Sequence, residues 1–209
     1  MTTEARFAWE NIYRCKGRVF IEPLARFPDL VKEFHHYGCT RILDLGCGNG
    51  RHVLALAKEG FRAVGLDAAL TGLNLAQAWL VDEGFEGALV LGDMTRSLPF
   101  PTEWFDGLMA TQVIHHALLE DIRGVIAEIH RVLKPGGLAF VTVPAKPDDE
   151  MTYREVAPGT CVPLRGDEAN VPHHYFTLEA FRGEFCEFEM LELSIRGDHV
   201  VFAFTGRKL

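Results

Sequence analysis

Short, almost wholly apolar runs alternate along the chain with segments whose apolar residues recur every three to four positions. The first kind reads as strands buried on both faces and the second as amphipathic helices, so the alternation predicts parallel β/α units. The strands fall at Arg41–Leu45, Ala63–Leu66, Ala88–Leu91, Phe105–Thr111 and Leu138–Val143. Between them the periodicity predicts helices over Gly50–Glu59, Ala68–Asp82 and about Leu119–Leu133. The last has the cleanest stripe: Ile122, Val125, Ile126, Ile129, Val132 and Leu133. Lys134-Pro135-Gly136-Gly137 then stops it, because proline cannot continue a helix and glycine permits the reversal.

Beyond residue 143 the pattern changes. Pro144–Pro172 holds five prolines, mixed charges and no period. It reads as a long irregular insertion, the kind of loop that binds or covers a ligand. Thr177 caps a short helix, and Glu187–Ile195 and His199–Thr205 read as two strands. Their link, Arg196-Gly197-Asp198, is short enough to force antiparallel pairing. Phe188 and Met190 share one face while Leu191, Leu193 and Ile195 share the other, which predicts a bulge near Met190. The fold class is therefore α/β: a doubly wound sheet of five parallel strands plus a C-terminal antiparallel hairpin. It is read as a single domain over 1–209, with a helical N-terminal segment at 1–40, the β/α core at 41–143, the insertion at 144–176 and the last helix and hairpin at 177–209.

Composition narrows the classes of function. With 48% hydrophobic and 24% charged residues the chain is of ordinary globular type. A net charge of −8 repels phosphate backbones and anionic lipid, so no nucleic-acid partner is expected. Five cysteines without a C-x-x-C pair fit reduced thiols and a cytoplasmic location. The N-terminus is charged from its fourth residue, and the uncharged run Gly107–Leu119 is too short to span a bilayer, so no membrane insertion is expected.

Ligands of open parallel sheets sit beyond the carboxyl ends of the strands. The first such end carries Asp44-Leu45-Gly46-Cys47-Gly48-Asn49-Gly50 and opens a helix. The alternating glycines let a ligand approach the backbone and meet amide groups at a helix N-terminus. A dinucleotide loop would need its third glycine at residue 51, which is Arg51, and Asp44 would repel a pyrophosphate. The same carboxylate would welcome an ammonium group. The loop therefore suits a nucleoside that carries a cationic amino-acid end.

These residues carry a resemblance. DLGCGNG resembles motif I of the class I S-adenosylmethionine-dependent methyltransferases. VGLD (Val64–Asp67), GDM (Gly92–Met94), FDGLMATQVIHH (Phe105–His116) and HRVLKPGG (His130–Gly137) resemble the later landmarks in order. HHYFTLEAF (His173–Phe181) looks like the small-molecule branch, type 11. The resemblance implies the Rossmann-like, seven-stranded methyltransferase fold, with S-adenosyl-L-methionine as cofactor. It implies that Asp44 and the loop of Gly46, Cys47, Gly48 and Gly50 hold the methionine end, Cys47 as a small filler. Asp67 would accept both ribose hydroxyls. Ala68 would pack on the adenine, Asp93 would accept from its exocyclic amine, and Met94 would supply an amide and apolar contact. Thr111 and Gln112 would line the methionine and the methyl group. WENIYR resembles a lid helix, with Tyr13 reaching the cofactor and Trp9 covering the substrate.

The implied activity is methyl transfer to a small-molecule acceptor by in-line displacement. The alternative is a non-catalytic cofactor- or partner-binding module on the same fold. A general base is needed only where the acceptor must lose a proton. His116, His174 and Tyr175, after the fourth strand and after the insertion, are the catalytic candidates, one histidine of each pair facing the site. His-His pairs occur three times, at 35–36, 115–116 and 173–174, without a supporting carboxylate pattern. Consecutive side chains diverge on strands and helices, so no metal is expected. The apolar, aromatic lid is also suited to serve as a homodimer surface.

Overall fold

Five apolar runs form the parallel part of the sheet; the edge run, Ala88–Leu91, is not buried on both faces as expected but half-buried at its middle and exposed at its ends. The computed structural model describes residues 3–145, 153–196 and 201–209. In it β1 (Arg41–Leu45), β2 (Arg62–Asp67), β3 (Ala88–Leu91), β4 (Phe105–Thr111) and β5 (Leu133–Pro144) pair in parallel in the order β3-β2-β1-β4-β5. β5 starts at Leu133 rather than Leu138: Leu133 pairs with Phe105, and the register shifts before Gly107 meets Leu138. The Pro-Gly-Gly run thus ends the helix as expected, and the chain passes directly into strand.

The described part of the insertion, from residue 153 on, is more ordered than its prolines suggest; 146–152 fall outside the described residues. β6 (Tyr153–Ala157), β7 (Thr160–Pro163) and β8 (His173–His174) make a separate three-stranded sheet. The prolines bracket these strands: Pro158 stands in the turn before Gly159, Pro163 ends β7, and Pro172 precedes β8. Proline at a strand end removes no ladder hydrogen bond.

β9 (Phe188–Arg196) and β10 (Val201–Lys208) complete the main sheet, β10 antiparallel to β5 and β9 antiparallel to β10. Thr205 pairs with Glu192 and Gly206 with Met190, so Leu191 is the extra residue of a bulge. The Arg196-Gly197-Asp198 link falls mostly outside the described residues.

Two layers cover the sheet. Alternate residues of β5 separate cleanly: Leu138 and Phe140 join the core with Ile42, Phe34 and Leu56, whereas Ala139, Val141 and Val143 join the core with Leu43, Ile129 and Phe181. The first core is closed by α2 (Phe27–His36), α3 (Arg51–Lys58) and α4 (Leu70–Asp82). The second is closed by α5 (Leu119–Val132) and α6 (Leu178–Glu184), the latter capped by the Thr177 hydroxyl, which accepts from the Ala180 N–H at 3.1 Å. α1 (Thr3–Lys16) packs against α4. None of the described helices is long and apolar enough to cross a membrane.

The amino ends of the strands are fastened by Asp106. One carboxylate oxygen accepts from the Thr40 N–H (3.1 Å), the Thr40 hydroxyl (2.7 Å) and the Arg41 N–H (2.8 Å), and the other from Lys134 at 2.5 Å. Burial raises its pKa, but the Lys134 ammonium and the Thr40 and Arg41 donors outweigh that and hold it well below the usual carboxylate range. The opposite, carboxyl edge of the sheet is left open.

Candidate cofactor and acceptor site

The open edge begins with the loop from Gly46 to Gly50, between β1 and α3. The Gly46 and Cys47 N–H groups donate to the Leu66 carbonyl at 2.7 and 3.0 Å, which ties the loop to the tip of β2. Gly48 lies at φ +53°, and a Cβ there would collide with the Tyr13 hydroxyl. Gly50, at φ +86°, caps α3, and a Cβ would stand 2.6 Å from the Ala76 methyl. Both positions therefore require glycine. Asn49 anchors the segment after α1, its amide donating to the Phe20 carbonyl at 2.6 Å.

Asp67 ends β2. One of its oxygens accepts from the Gly48 N–H and the other from the Ala69 N–H, each at 2.8 Å. These bonds fix the carboxylate plane and leave each oxygen a further lone pair. Burial is the main influence on its pKa and raises it.

Asp44 differs from Asp67. It is 1% exposed, and neither carboxylate oxygen has a hydrogen-bond partner among the described residues. Burial pushes its pKa up to about 7, against a smaller opposing pull from the Arg51 guanidinium and with some help from the Asp67 charge. A buried carboxylate with no partner is costly unless a cation meets it. Cys47 is buried as a protonated thiol, its pKa driven well up by desolvation.

A cavity of about 750 Å³ opens over these strand tips. Tyr13, Gly46, Cys47, Gly48, Asp67, Ala68, Met94, Thr111, Gln112, His116 and Tyr175 all line it. Four sequence candidates do not. Asp44 and Gly50 are absent from the lining. Asp93 is also absent, although its neighbours Gly92 and Met94 are present. One Asp93 oxygen accepts from the Thr95 N–H at 2.9 Å and the Thr95 hydroxyl at 2.8 Å, capping the turn after β3. His174 is the fourth: its Nδ1 lies 2.8 Å from the Thr160 hydroxyl, and its ring meets Phe176 edge-on at 4.4 Å. Strand alternation makes His173, not His174, the member of that pair that faces the cavity.

The other end of the cavity is a histidine cluster. His115 and His116 follow β4 in a tight turn, closed by the His116 N–H donating to the Val113 carbonyl at 3.1 Å. Because this is neither strand nor helix, the two imidazoles do not diverge as expected: their centroids are 3.9 Å apart. His173 stands 5.4 Å from the first ring and 4.7 Å from the second. Its Nδ1 lies 2.9 Å from the Val171 carbonyl and its Nε2 2.7 Å from Glu168. Burial lowers the His115 pKa well below the ordinary value, with further lowering from the neighbouring histidines, and lowers that of His116 to about 3. Burial raises the Glu168 pKa, but the His173 hydrogen bond and the pull of His116 hold it below the usual range. Trp9 packs over His116 at 5.6 Å, and Tyr153 meets Tyr175 edge-on at 6.1 Å. Burial raises the Tyr175 pKa, so its phenol stays protonated at neutral pH. Glu168 was not legible in the sequence, since it stands in a stretch without period, five residues before His173.

The strand order, the antiparallel hairpin at one edge and the glycine loop after the first strand define the class I methyltransferase fold. Residues 43–141 match the family model described as a methyltransferase domain. That stretch is similar to the methyltransferase domains of the class I S-adenosylmethionine-dependent type. The chain is 30% identical over 109 residues to an uncharacterized methyltransferase, YcgJ, of Bacillus subtilis, a match covering 52% of this chain and 42% of that one. It is 34% identical over 116 residues to a ubiquinone biosynthesis O-methyltransferase of Chelativorans, covering 56% of this chain and 44% of that one. These matches span less than half of either relative's own length. Among solved structures, the fold resembles a Burkholderia thailandensis 1,6-didemethyltoxoflavin-N1-methyltransferase with bound 1,6-didemethyltoxoflavin and S-adenosylhomocysteine. That likeness has a TM-score of 0.71 at 20% identity and covers 98% of this chain and 87% of that one.

Proposed function

We propose that this protein transfers a methyl group from S-adenosyl-L-methionine to a small-molecule acceptor. The observation that carries the reading is Asp44, a buried carboxylate without a partner at the tip of the first strand. An α-ammonium near the glycine loop supplies the missing counter-charge, and the methionine end of this cofactor carries one. Asp67, already oriented by two backbone N–H groups, offers its remaining lone pairs to a ribose diol. Ala68, Met94 and Leu66, which line the cavity, would give the apolar wall for an adenine, and Thr111 and Gln112, also in the lining, are assigned to the methyl-bearing end. Asp93 acts on the adenine through the turn it caps, which positions Met94, rather than by facing the cavity.

When bound, the cofactor supplies an electrophilic methyl group that an acceptor takes by in-line displacement, leaving a neutral thioether. The chain's contribution is chiefly to hold the two reactants in line, which in oriented systems supplies up to roughly 7–11 kcal/mol. His116 and Tyr175 line the cavity at what would be the acceptor end, His116 as a neutral imidazole able to accept a hydrogen bond and Tyr175 as a neutral phenol able to donate one. The apolar side chains of Trp9, Phe20 and Tyr153 favour a flat, largely apolar acceptor.

Calorimetric titration with S-adenosylmethionine and S-adenosylhomocysteine, with NADH as control, tests the reading. Micromolar binding of the first two and none of the third is the expected result. No binding of either by folded protein overturns it and leaves the non-catalytic module.

A further inference from the structure

We propose that His115, His116 and His173, together with Glu168, form a binding site for one divalent transition-metal ion of the zinc class, at the acceptor end of the cavity. One nitrogen from each of the three buried histidines lies within 4.8 Å of the others. The site has an unsatisfied group: His115 Nδ1 is buried and has no hydrogen-bond partner among the described residues. It also has an anion, since a Glu168 oxygen lies 2.7 Å from His173 Nε2 and 4.0 Å from His116 Nε2. Three imidazoles and one carboxylate are the donors that zinc, cobalt and nickel prefer, whereas magnesium and calcium prefer all-oxygen sets.

The surroundings prepare the ligands. The Val171 carbonyl, 2.9 Å from His173 Nδ1, accepts a hydrogen bond from that nitrogen and orients the ring, so that Nε2 points to Glu168 and into the cluster. The His174 N–H donates to the His115 carbonyl at 2.8 Å, which joins β8 directly to the turn after β4. The three rings are therefore held by backbone. Metal–nitrogen bonds of about 2.0–2.1 Å need a tighter cluster than 4.8 Å. Rotation about the soft terminal torsion of each ring supplies that contraction.

Trp9, Tyr153 and Tyr175 line the cavity beside the cluster, so a fifth coordination position, beyond the three nitrogens and the Glu168 oxygen, would face the acceptor. A bound hydroxyl or thiol would ionise more readily there and release its proton to solvent. Its lone pair then forms the new bond to the methyl carbon, and the carbon–sulfur pair leaves with the sulfur. This role rests on the methyl-transfer reading; binding of the ion does not.

The test uses the whole, metal-stripped chain without cofactor, titrated with Co2+ by visible d–d absorption and with Zn2+ by calorimetry. The expected result is one equivalent per chain with the absorption of a low-coordinate site. Affinity should fall by at least about tenfold in His173→Ala, in His115→Ala and in the near-isosteric Glu168→Gln. No d–d absorption, or stoichiometric binding unchanged in all three variants, overturns the site. Glu168→Gln preserves shape and so decides the matter if an alanine variant misfolds. S-adenosylmethionine titrated into the same metal-free protein separates the two readings. Cofactor binding without Co2+ binding removes the metal site alone, and Co2+ binding without cofactor binding removes the methyl-transfer reading alone.

Discussion

At the cofactor end of the cavity, Gly46–Gly48, Asp67–Ala68 and Met94 come from the ends of consecutive parallel strands, each within a run of two or three residues. At the acceptor end, Trp9, His116, Glu168, His173 and Tyr175 are gathered from α1, the turn after β4 and the insertion, more than 100 positions apart in the chain at the extremes. Sheet topology alone locates the first set, because parallel strands deliver their tips to one edge. The second set depends on which turns and minor strands happen to meet. On the proposed reading the first set would be a general-purpose holder, and specificity would lie in the second.

The largest effect that sharpens this contrast is Asp44→Asn. Cofactor affinity should fall by up to about 100-fold, since a charged interaction is lost. The same change should stabilise the ligand-free protein. Asp44 titrates near 7 in the folded chain against an ordinary value of 3.8. From about pH 4 to 7 the unfolded chain has released this proton while the folded chain retains it. Stability therefore falls as pH rises through that window and is flat above it. Thermal melting at about pH 8 should show Asp44→Asn the more stable, and the wild-type decline between pH 4 and 7 should be reduced in the variant. A wild-type melting curve no lower than the variant's at about pH 8 breaks the account.

Asp67→Ala comes next. It should cost about 1–3 kcal/mol in cofactor binding, because it removes the diol acceptor and frees the Gly48 N–H that the carboxylate orients. Calorimetry showing unchanged affinity would sink the cofactor assignment of this strand tip. Asp106→Ala, at the opposite edge, should destabilise the fold by about 1–3 kcal/mol by leaving Thr40 and Arg41 donors without their acceptor. Denaturant titration measures that loss, while cofactor affinity should not move. The smallest effect is His174→Ala. It removes the bond to Thr160 and should cost about 1 kcal/mol of stability. Its kcat/KM should change less than that of His116→Ala, once an acceptor is in hand.

The same contrast explains what the sequence could and could not reveal. The five-strand core, the hairpin and the bulge beside Met190 follow from apolar period and turn chemistry, which are local. The loop at Gly46–Gly50 is legible because positive φ at Gly48 and Gly50 permits few other residues there. Asp93 shows how far a strand-tip argument reaches: Thr95, two residues on, holds the carboxylate in a turn, and a tip position does not tell capping from ligand binding. The choice between His173 and His174 turns on the pairing of Cys161 with His173 and of Thr160 with His174, a register set by a two-residue strand too short to carry a period. Glu168 is hidden for a related reason, because its place beside His173 is created by the turn between β7 and β8.

The lone carboxylate of Asp44 also determines what a calorimeter records. In ligand-free protein near neutral pH that group holds a substantial fraction of a proton. On the proposed reading, an ammonium bound at the adjoining glycine loop would favour the ionised form, so binding would expel that fraction of a proton into the buffer. The apparent heat of binding should then differ between buffers of different ionisation enthalpy near pH 7 and converge at higher pH. A recognition event of this kind is an exchange of one cation for another.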